Sequence, residues 1–396
     1  MKLMFIPADN YDKSGAFICM ANLVDILHRK YDVEVVVVLH RTGSGTHILD
    51  EMGIRHVFVR GYPWCIPVDG DFSFKNKLKF VVKRLINKLT LPKLRQLIRK
   101  EKPDLIINNT SWEYLASIAA NLEHVPYVWH IREVMWEQQM VKPFCGIEKF
   151  FSIMSKAQCI IPASKYIEEA HLRKLDEYPG IKSNILTKIN TIDEGICSDE
   201  YDVGHEIFDS HHVVIAMVGM MLPWKGQMQL VKAIEQLVKS TTIDVEALFV
   251  GDYNTEYGSK VRAYVTKKHL EENITFMGGR NDVPDILSHC DIATVCSSNE
   301  GFGRVTVEGM MSGCLVIGSD SGATGYIIQD GVDGLLYEYG SHDDLANKIL
   351  WAIKHPLEAK QMGQRAREKA MSKYTAEHNA EITYRCYEDV LRRLRQ

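Results

Sequence analysis

The sequence has no C-x-x-C pair, although it carries nine cysteines among 396 residues. An odd, scattered set of thiols has neither the even framework of a secreted disulfide scaffold nor the close pairs of a structural zinc site. Inert or buried thiols in a reducing compartment are therefore expected. Long apolar runs are missing too: the longest, such as Val33 to Leu39, have strand length and fall far short of a bilayer span. At the N-terminus the run ending at Ile6 is stopped by Pro7 and Asp9, too soon for a signal peptide. There is no large net charge, with 47 Lys and Arg against 51 Asp and Glu, which argues against general nucleic-acid binding and leaves room only for a local basic patch. G-x-G-x-x-G is absent after the first apolar run, which disfavours a dinucleotide oxidoreductase. No internal repeat or low-complexity tract is evident.

What is present is a globular balance, 46% apolar and 25% charged, on a chain long enough for two cores. Short β-branched runs alternate with longer amphipathic segments, the pattern of parallel α/β sheets. Lys2 to Ile6, Val33 to Leu39, Asp104 to Ile107, Tyr127 to Trp129 and Cys159 to Pro162 read as one series of strands. Val213 to Val218, Ala247 to Val250, Ile274 to Met277, Ile292 to Val295 and Leu315 to Ile317 read as a second. Helical patterns are expected from Phe17 to Arg29, Gln229 to Lys239 and Ala376 to Arg395. A polar stretch near residue 200 separates the series. The expected organisation is therefore a doubly wound domain over 1–200, a second over 201–375, and a terminal helix, 376–396, returning to the first. In such sheets ligands bind outside the carboxyl ends of the strands.

The densest chemical signal lies between Ser297 and Leu336. Glu300-Gly301-Phe302-Gly303 follows a predicted strand, a helix is expected from Arg304, and Glu308 stands eight positions after Glu300. Glycines let backbone N–H groups approach a ligand, and a helix N-terminus favours an anion, so a diphosphate is the natural guest. The two carboxylates reach different parts of one elongated ligand, which suits holding roles better than an acid–base pair. A second strand-to-loop passage, Gly219 through Lys225 and Gly226, places a cation where a leaving phosphate would develop charge. Taken alone, Lys225 reads more readily as a solvated lysine before a helix, and His130 as a satisfied structural histidine.

With these residues in view the sequence resembles the retaining glycosyltransferases of family 4, which have the GT-B fold. The resemblance rests on Glu300 and Glu308 in their E-x7-E setting, Gly219, Lys225 and Gly226 upstream, and Gly313, Gly322 and Asp330 to Leu336 downstream. It also takes in Val250 to Asp252, Phe276 to Gly278, Pro103-Asp104 and Val125 to His130. It implies an α/β GT-B architecture, two Rossmann-like domains facing each other across a cleft, with acceptor specificity in the first and a nucleotide sugar in the second. Carried across residue by residue, it implies that Glu308 binds the ribose hydroxyls, and that Glu300 with Gly301, Phe302 and Gly303 holds the donor sugar and diphosphate. Lys225 would stabilise the departing diphosphate, His130 would contact the donor sugar, Gly15 would open the first loop, and the backbone near Arg280 would border the base. The family roles need neither metal nor other cofactor; the nucleotide sugar is a substrate and the acceptor a glycan or a lipid-linked molecule.

Three positions depart from the family pattern. Met220 stands where an arginine usually clamps the diphosphate, a loss worth on the order of 2–4 kcal/mol of transition-state stabilisation unless replaced. Arg304 is the candidate replacement. Tyr326 stands where glutamate is common, and Glu194-Gly195 where Asn-Gly is. Rival readings are a nucleotide-sugar epimerase or phosphorylase on the same architecture, and a binding protein that has lost turnover.

Two weaker signals have competing readings. Lys75 to Lys102 carries eleven basic residues and one acid, Glu101, among apolar positions. It reads either as a surface resting on anionic lipid or as two solvated helices packed on the sheet. The resemblance favours the first, and with it a cytoplasmic protein peripheral to the inner face of the membrane. Asp69-Gly70-Asp71 has a metal-binding D-x-D spacing, but its Pro- and Gly-rich surroundings favour a turn.

Overall fold

The computed structural model describes residues 1–68, 74–138, 140–240 and 244–396. Asp69-Gly70-Asp71 lies outside the described residues. The chain divides into two compact units, Met1–Gly195 with Ala376–Gln396, and Ile196–Thr375.

The first unit is built on six parallel strands: β1 (Lys2–Pro7), β2 (Glu34–Leu39), β3 (His56–Phe58), β5 (Leu105–Asn109), β6 (Tyr127–Ile131) and β8 (Cys159–Pro162). Their order is β3-β2-β1-β5-β6-β8. A small antiparallel pair, β4 (Cys65–Pro67) and β7 (Val141–Pro143), stands apart from it. The second unit repeats the plan with β9 (His212–Val218), β10 (Asp244–Val250), β11 (Ile274–Gly278), β12 (Ile292–Val295), β13 (Leu315–Ser319) and β14 (Leu335–Tyr337). Its order is β11-β10-β9-β12-β13-β14. In each sheet the winding reverses once, between β1 and β5 and between β9 and β12. Those reversals create the crevices where ligands bind in open α/β sheets.

Burial on both faces explains why the strands read as continuous apolar runs rather than alternating ones. Along β9, Val213, Ile215 and Met217 enter one core cluster, while Ala216 enters the cluster on the opposite face. The terminal helix Ala376–Arg395 belongs to the first unit. There Tyr387 is fully buried, with its ring edge-on to Phe5 at a centroid distance of 6.5 Å. Tyr384 stacks on Tyr31 of the helix Gly15–Tyr31 at 4.3 Å.

The basic stretch is one helix, Phe74–Glu101, with Pro92 inside it, where two helices were an open reading. Its C-terminal half is anchored by Leu94 and Ile98, both fully buried. Arg95 and Arg99 share the Glu123 carboxylate, and Glu101 accepts from Lys2 and Arg55. These ion pairs neutralise part of the basic run.

Candidate functional site

The reversal between β9 and β12 brings together the two loops that the sequence singled out. At the end of β9 the chain turns through Gly219, whose positive φ of 141° is one that residues with side chains rarely adopt. Gly251 follows β10, and a Cβ there would lie 2.2 Å from the Gly219 oxygen. The backbone then passes through a short turn, Pro223–Lys225, and Gly226, where a Cβ would meet the Cys296 oxygen at 2.3 Å. Buried Gln227 fixes the returning loop by donating from Nε2 to the Met220 oxygen at 3.0 Å. Ser298 N–H donates to the Trp224 oxygen at 2.8 Å, joining this loop to the one after β12. This lock holds Lys225 Nζ 2.6 Å from Glu300 Oε1, with only 23% and 16% of the two side chains exposed. Burial opposes ionisation of Glu300. The Lys225 charge, its hydrogen bond and a further bond from Ser297 outweigh burial and hold the carboxyl below its usual range.

The loop carrying Glu300 is braced from beneath. Ser319 and Ser321 hydroxyls both donate to the Ser297 oxygen, at 2.7 and 2.8 Å. Ala323 N–H donates to the Glu300 oxygen at 2.9 Å, and a Cβ on Gly322 would lie 2.5 Å from the Glu300 nitrogen. Phe302 turns its ring into the core, edge-on to Tyr374 at 5.8 Å, so its backbone is the part a ligand meets. Gly303, at φ 84°, caps the helix Arg304–Met311. One turn in, Arg304 Nη2 lies 3.0 Å from Glu308 Oε1, so Arg304 leans along its own helix. Buried Tyr201 sits beside the same carboxylate; burial first, and then Glu308, push its phenol above the ordinary range. Met220 is half-exposed, and Arg280, beyond β11, is an exposed residue paired with Asp282.

Sequence reasoning named Glu300, Lys225, Glu308 and the glycines between them. It gave no site role to Gln227, Ser297, Ser319 and Ser321, which position them. Ser319, at the end of β13, and Gln227, at the start of a helix, are polar residues at buried positions where an apolar one would be expected; Ser297 and Ser321, in loops, carry no such signal.

In the first unit, His130 is the penultimate residue of β6 and is buried, with Nε2 2.7 Å from the Tyr387 hydroxyl of the terminal helix. Burial, with the Arg132 charge nearby, keeps the ring well below its usual pKa and therefore neutral. Arg132 donates to Asn109 at 2.8 Å and pairs with Glu194. An acid in place of the family's asparagine thus has a buried cation to meet it. Gly15 opens the helix Gly15–Tyr31, directly after Ser14 at its N-cap. Sequence reading passed over Glu133. Burial pushes its carboxyl up to about 7 against the bond from Ser111 N–H and the Arg132 charge, so it titrates near neutrality. Among the described residues no three His, Cys, Asp or Glu side chains gather as a metal site. None of the helices there is long and apolar enough to cross a membrane.

Comparison with known proteins places this geometry. Residues 204–369 match the family described as "Glycosyl transferases group 1". An uncharacterized glycosyltransferase of Methanocaldococcus jannaschii is 31% identical over 53% of this chain and 53% of its own length. The UDP-Gal:alpha-D-GlcNAc-diphosphoundecaprenol alpha-1,3-galactosyltransferase of Escherichia coli is 25% identical over 66% of this chain and 69% of its own. The match thus spans about half of the first relative and about two thirds of the second. The Anabaena protein HepE, solved in complex with UDP, superposes with a TM-score of 0.79 at 21% identity, covering 98% of this chain and all of that one. The two six-stranded parallel sheets have the GT-B fold, and within the second unit residues 204–369 carry the match to the glycosyl transferases group 1 family.

Proposed function

We propose that the chain is a retaining glycosyltransferase that moves a sugar from a nucleoside diphosphate sugar to a glycan or lipid-linked acceptor, in surface polysaccharide biosynthesis. The observation that carries this reading is the Lys225–Glu300 pair at 2.6 Å, set at the winding reversal of the second sheet. Lys225 supplies positive charge to the departing diphosphate, which lets the reaction proceed without a metal. Glu300, already tied to Lys225, suits holding a sugar hydroxyl better than attacking the sugar, so retention would come from the acceptor attacking on the face that the diphosphate leaves. The N–H groups of Gly301 to Gly303 and the start of the helix receive the diphosphate. Glu308, steadied by Arg304, takes the ribose. The backbone near Arg280 borders the base.

Uridine is the first base to test, because HepE was solved with UDP and the E. coli relative is named for UDP-galactose. The diphosphoundecaprenol acceptor of that relative supports a lipid-linked acceptor here. A place on the cytoplasmic membrane face rests on the helix Phe74–Glu101. Leu78, Val81, Val82, Leu85 and Leu89 are all exposed on it. At about 100° per residue they fall within about 100° of arc, a single apolar stripe. Lys79 and Lys83 flank one side of it, Arg84 and Lys88 the other.

A panel of UDP-, GDP- and ADP-sugars in EDTA tests the donor assignment by thermal shift. A ligand at about a hundred times its Kd should stabilise the fold by about 2.7 kcal/mol. No stabilisation by any of them would refute the reading.

A further inference from the structure

A cavity of about 1410 Å³ lies wholly within the first unit, at the carboxyl ends of β1, β2 and β3. Its walls are the segments after β2 and β3 and one face of the helix Phe74–Glu101. Four cations line it: Arg41, Arg60, Lys83 and Lys93. No Asp or Glu lines it, and none of the four has a carboxylate in salt-bridge reach among the described residues. Beneath them His40 donates from Nδ1 to the Val59 oxygen at 3.0 Å and pairs through Nε2 with buried Glu113. The wall is fixed: Asn87 accepts from Tyr62 N–H at 3.0 Å and donates to the Tyr62 oxygen at 2.9 Å. These cations have no carboxylate in salt-bridge reach, although Arg60 donates to the Tyr62 hydroxyl at 2.8 Å and Lys83 lies over the Tyr62 and Phe80 rings; gathered over a rigid floor they form a site for a strongly charged anion. Its volume exceeds the about 300–1,000 Å³ of most small-ligand pockets, so a phosphate carrying a further group fills it better than a bare ion.

The same helix says where the rest of the ligand goes. Lys83, Ile86, Thr90 and Lys93 on the pocket face stand about 90° round from the exposed apolar stripe. Leu89 belongs to both, lining the pocket while 75% exposed. A cationic pocket therefore opens directly onto an apolar strip of surface. We propose that this pocket binds the phosphate or diphosphate head of a lipid-linked acceptor, whose apolar chain leaves across Leu89 into the bilayer under the stripe. This rests on the proposed transferase reading and specifies its acceptor: a phosphate-bearing lipid presented from a membrane.

The test uses the full chain and three phosphatidylcholine vesicle preparations. One is plain, one carries phosphatidic acid as a lipid phosphomonoester, and one carries phosphatidylserine matched to it in surface charge. The wild type is expected to bind the phosphomonoester vesicles about tenfold more tightly than the matched ones. R60Q/K93Q, at two exposed positions, should lose that preference, whereas V82S/L85S, outside the pocket, should weaken binding to both charged vesicles. Excess glycerol 3-phosphate in solution should erase the phosphomonoester preference without releasing the protein, which the apolar stripe still holds. Equal or absent binding of the two charged vesicles by the wild type, a preference retained by R60Q/K93Q, or full release of the protein by the free phosphate would each overturn the proposal. UDP-induced thermal shifts on the same proteins read the donor site separately, so failure there leaves the vesicle result interpretable.

Discussion

Replacing Lys225 by methionine removes one partner of a half-buried ion pair and keeps most of the apolar stem. At 2.6 Å and an effective dielectric of 20 the bare attraction is about 6 kcal/mol, most of it spent on removing both ions from water. Breaking a fully buried pair costs about 3–5 kcal/mol, and with solvent still touching both side chains about 2–3 kcal/mol is expected here. The sign follows from Glu300, whose carboxyl lies below its usual range in the folded protein. Its stabilisation is present above the ordinary glutamate pKa and lost as pH falls through the folded value. Without Lys225, burial dominates and raises that pKa, so K225M should be least stable relative to wild type at neutral pH. Urea unfolding from pH 7 to pH 4 measures this, and the gap should narrow steadily on acidification. K225M/E300Q should recover much of the stability but no transfer activity. A pH-independent gap, or K225M as stable as wild type, would show that the pair is not the buried unit argued here.

Other outcomes follow from the same geometry. G322A should abolish donor binding measured by titration calorimetry, because its Cβ would lie 2.5 Å from the Glu300 nitrogen and shift the loop. M220R, at a half-exposed position, should raise kcat at least about tenfold with stability within about 0.5 kcal/mol, since it restores a diphosphate donor. An unchanged kcat would mean that this charge is met elsewhere. R304A should weaken UDP affinity by about tenfold through loss of its hold on Glu308. His171 is buried among Phe150, Phe151 and Trp136, with Nδ1 on the Ile167 oxygen and Nε2 without a partner among the described residues. Burial lowers its pKa to about 4, so its contribution is complete above the unfolded value of 6.5 and lost as pH falls towards 4. That loss is worth about 3 kcal/mol, and H171F should flatten the acid limb of the stability curve.

The strands were legible because parallel strands buried on both faces leave unbroken runs such as Val35 to Leu39 and Ile292 to Val295. Edge strands β3 and β14, three residues each, carry too little pattern to be seen. Glu300, Lys225 and Glu308 were legible because phosphate chemistry needs particular residue types beside glycine at strand ends. The Tyr387 bond to His130 was not, since 257 residues separate them and nothing local in either segment announces the other. Nor was Arg132–Glu194, where one departure from the family pattern is answered by a cation 62 positions away. The basic segment, which could also be read as two helices, is one, with Pro92 inside it and buried Leu94 and Ile98 just beyond.

Calorimetric titration of UDP in EDTA, on wild type and E308A, tests the donor site most directly. Measurable binding by the wild type and at least about a hundredfold loss in E308A is the expected result, as for a buried charged hydrogen-bonding group removed from its ligand. Equal affinity in the two proteins would contradict the assignment of the second unit's crevice as the nucleotide-sugar site.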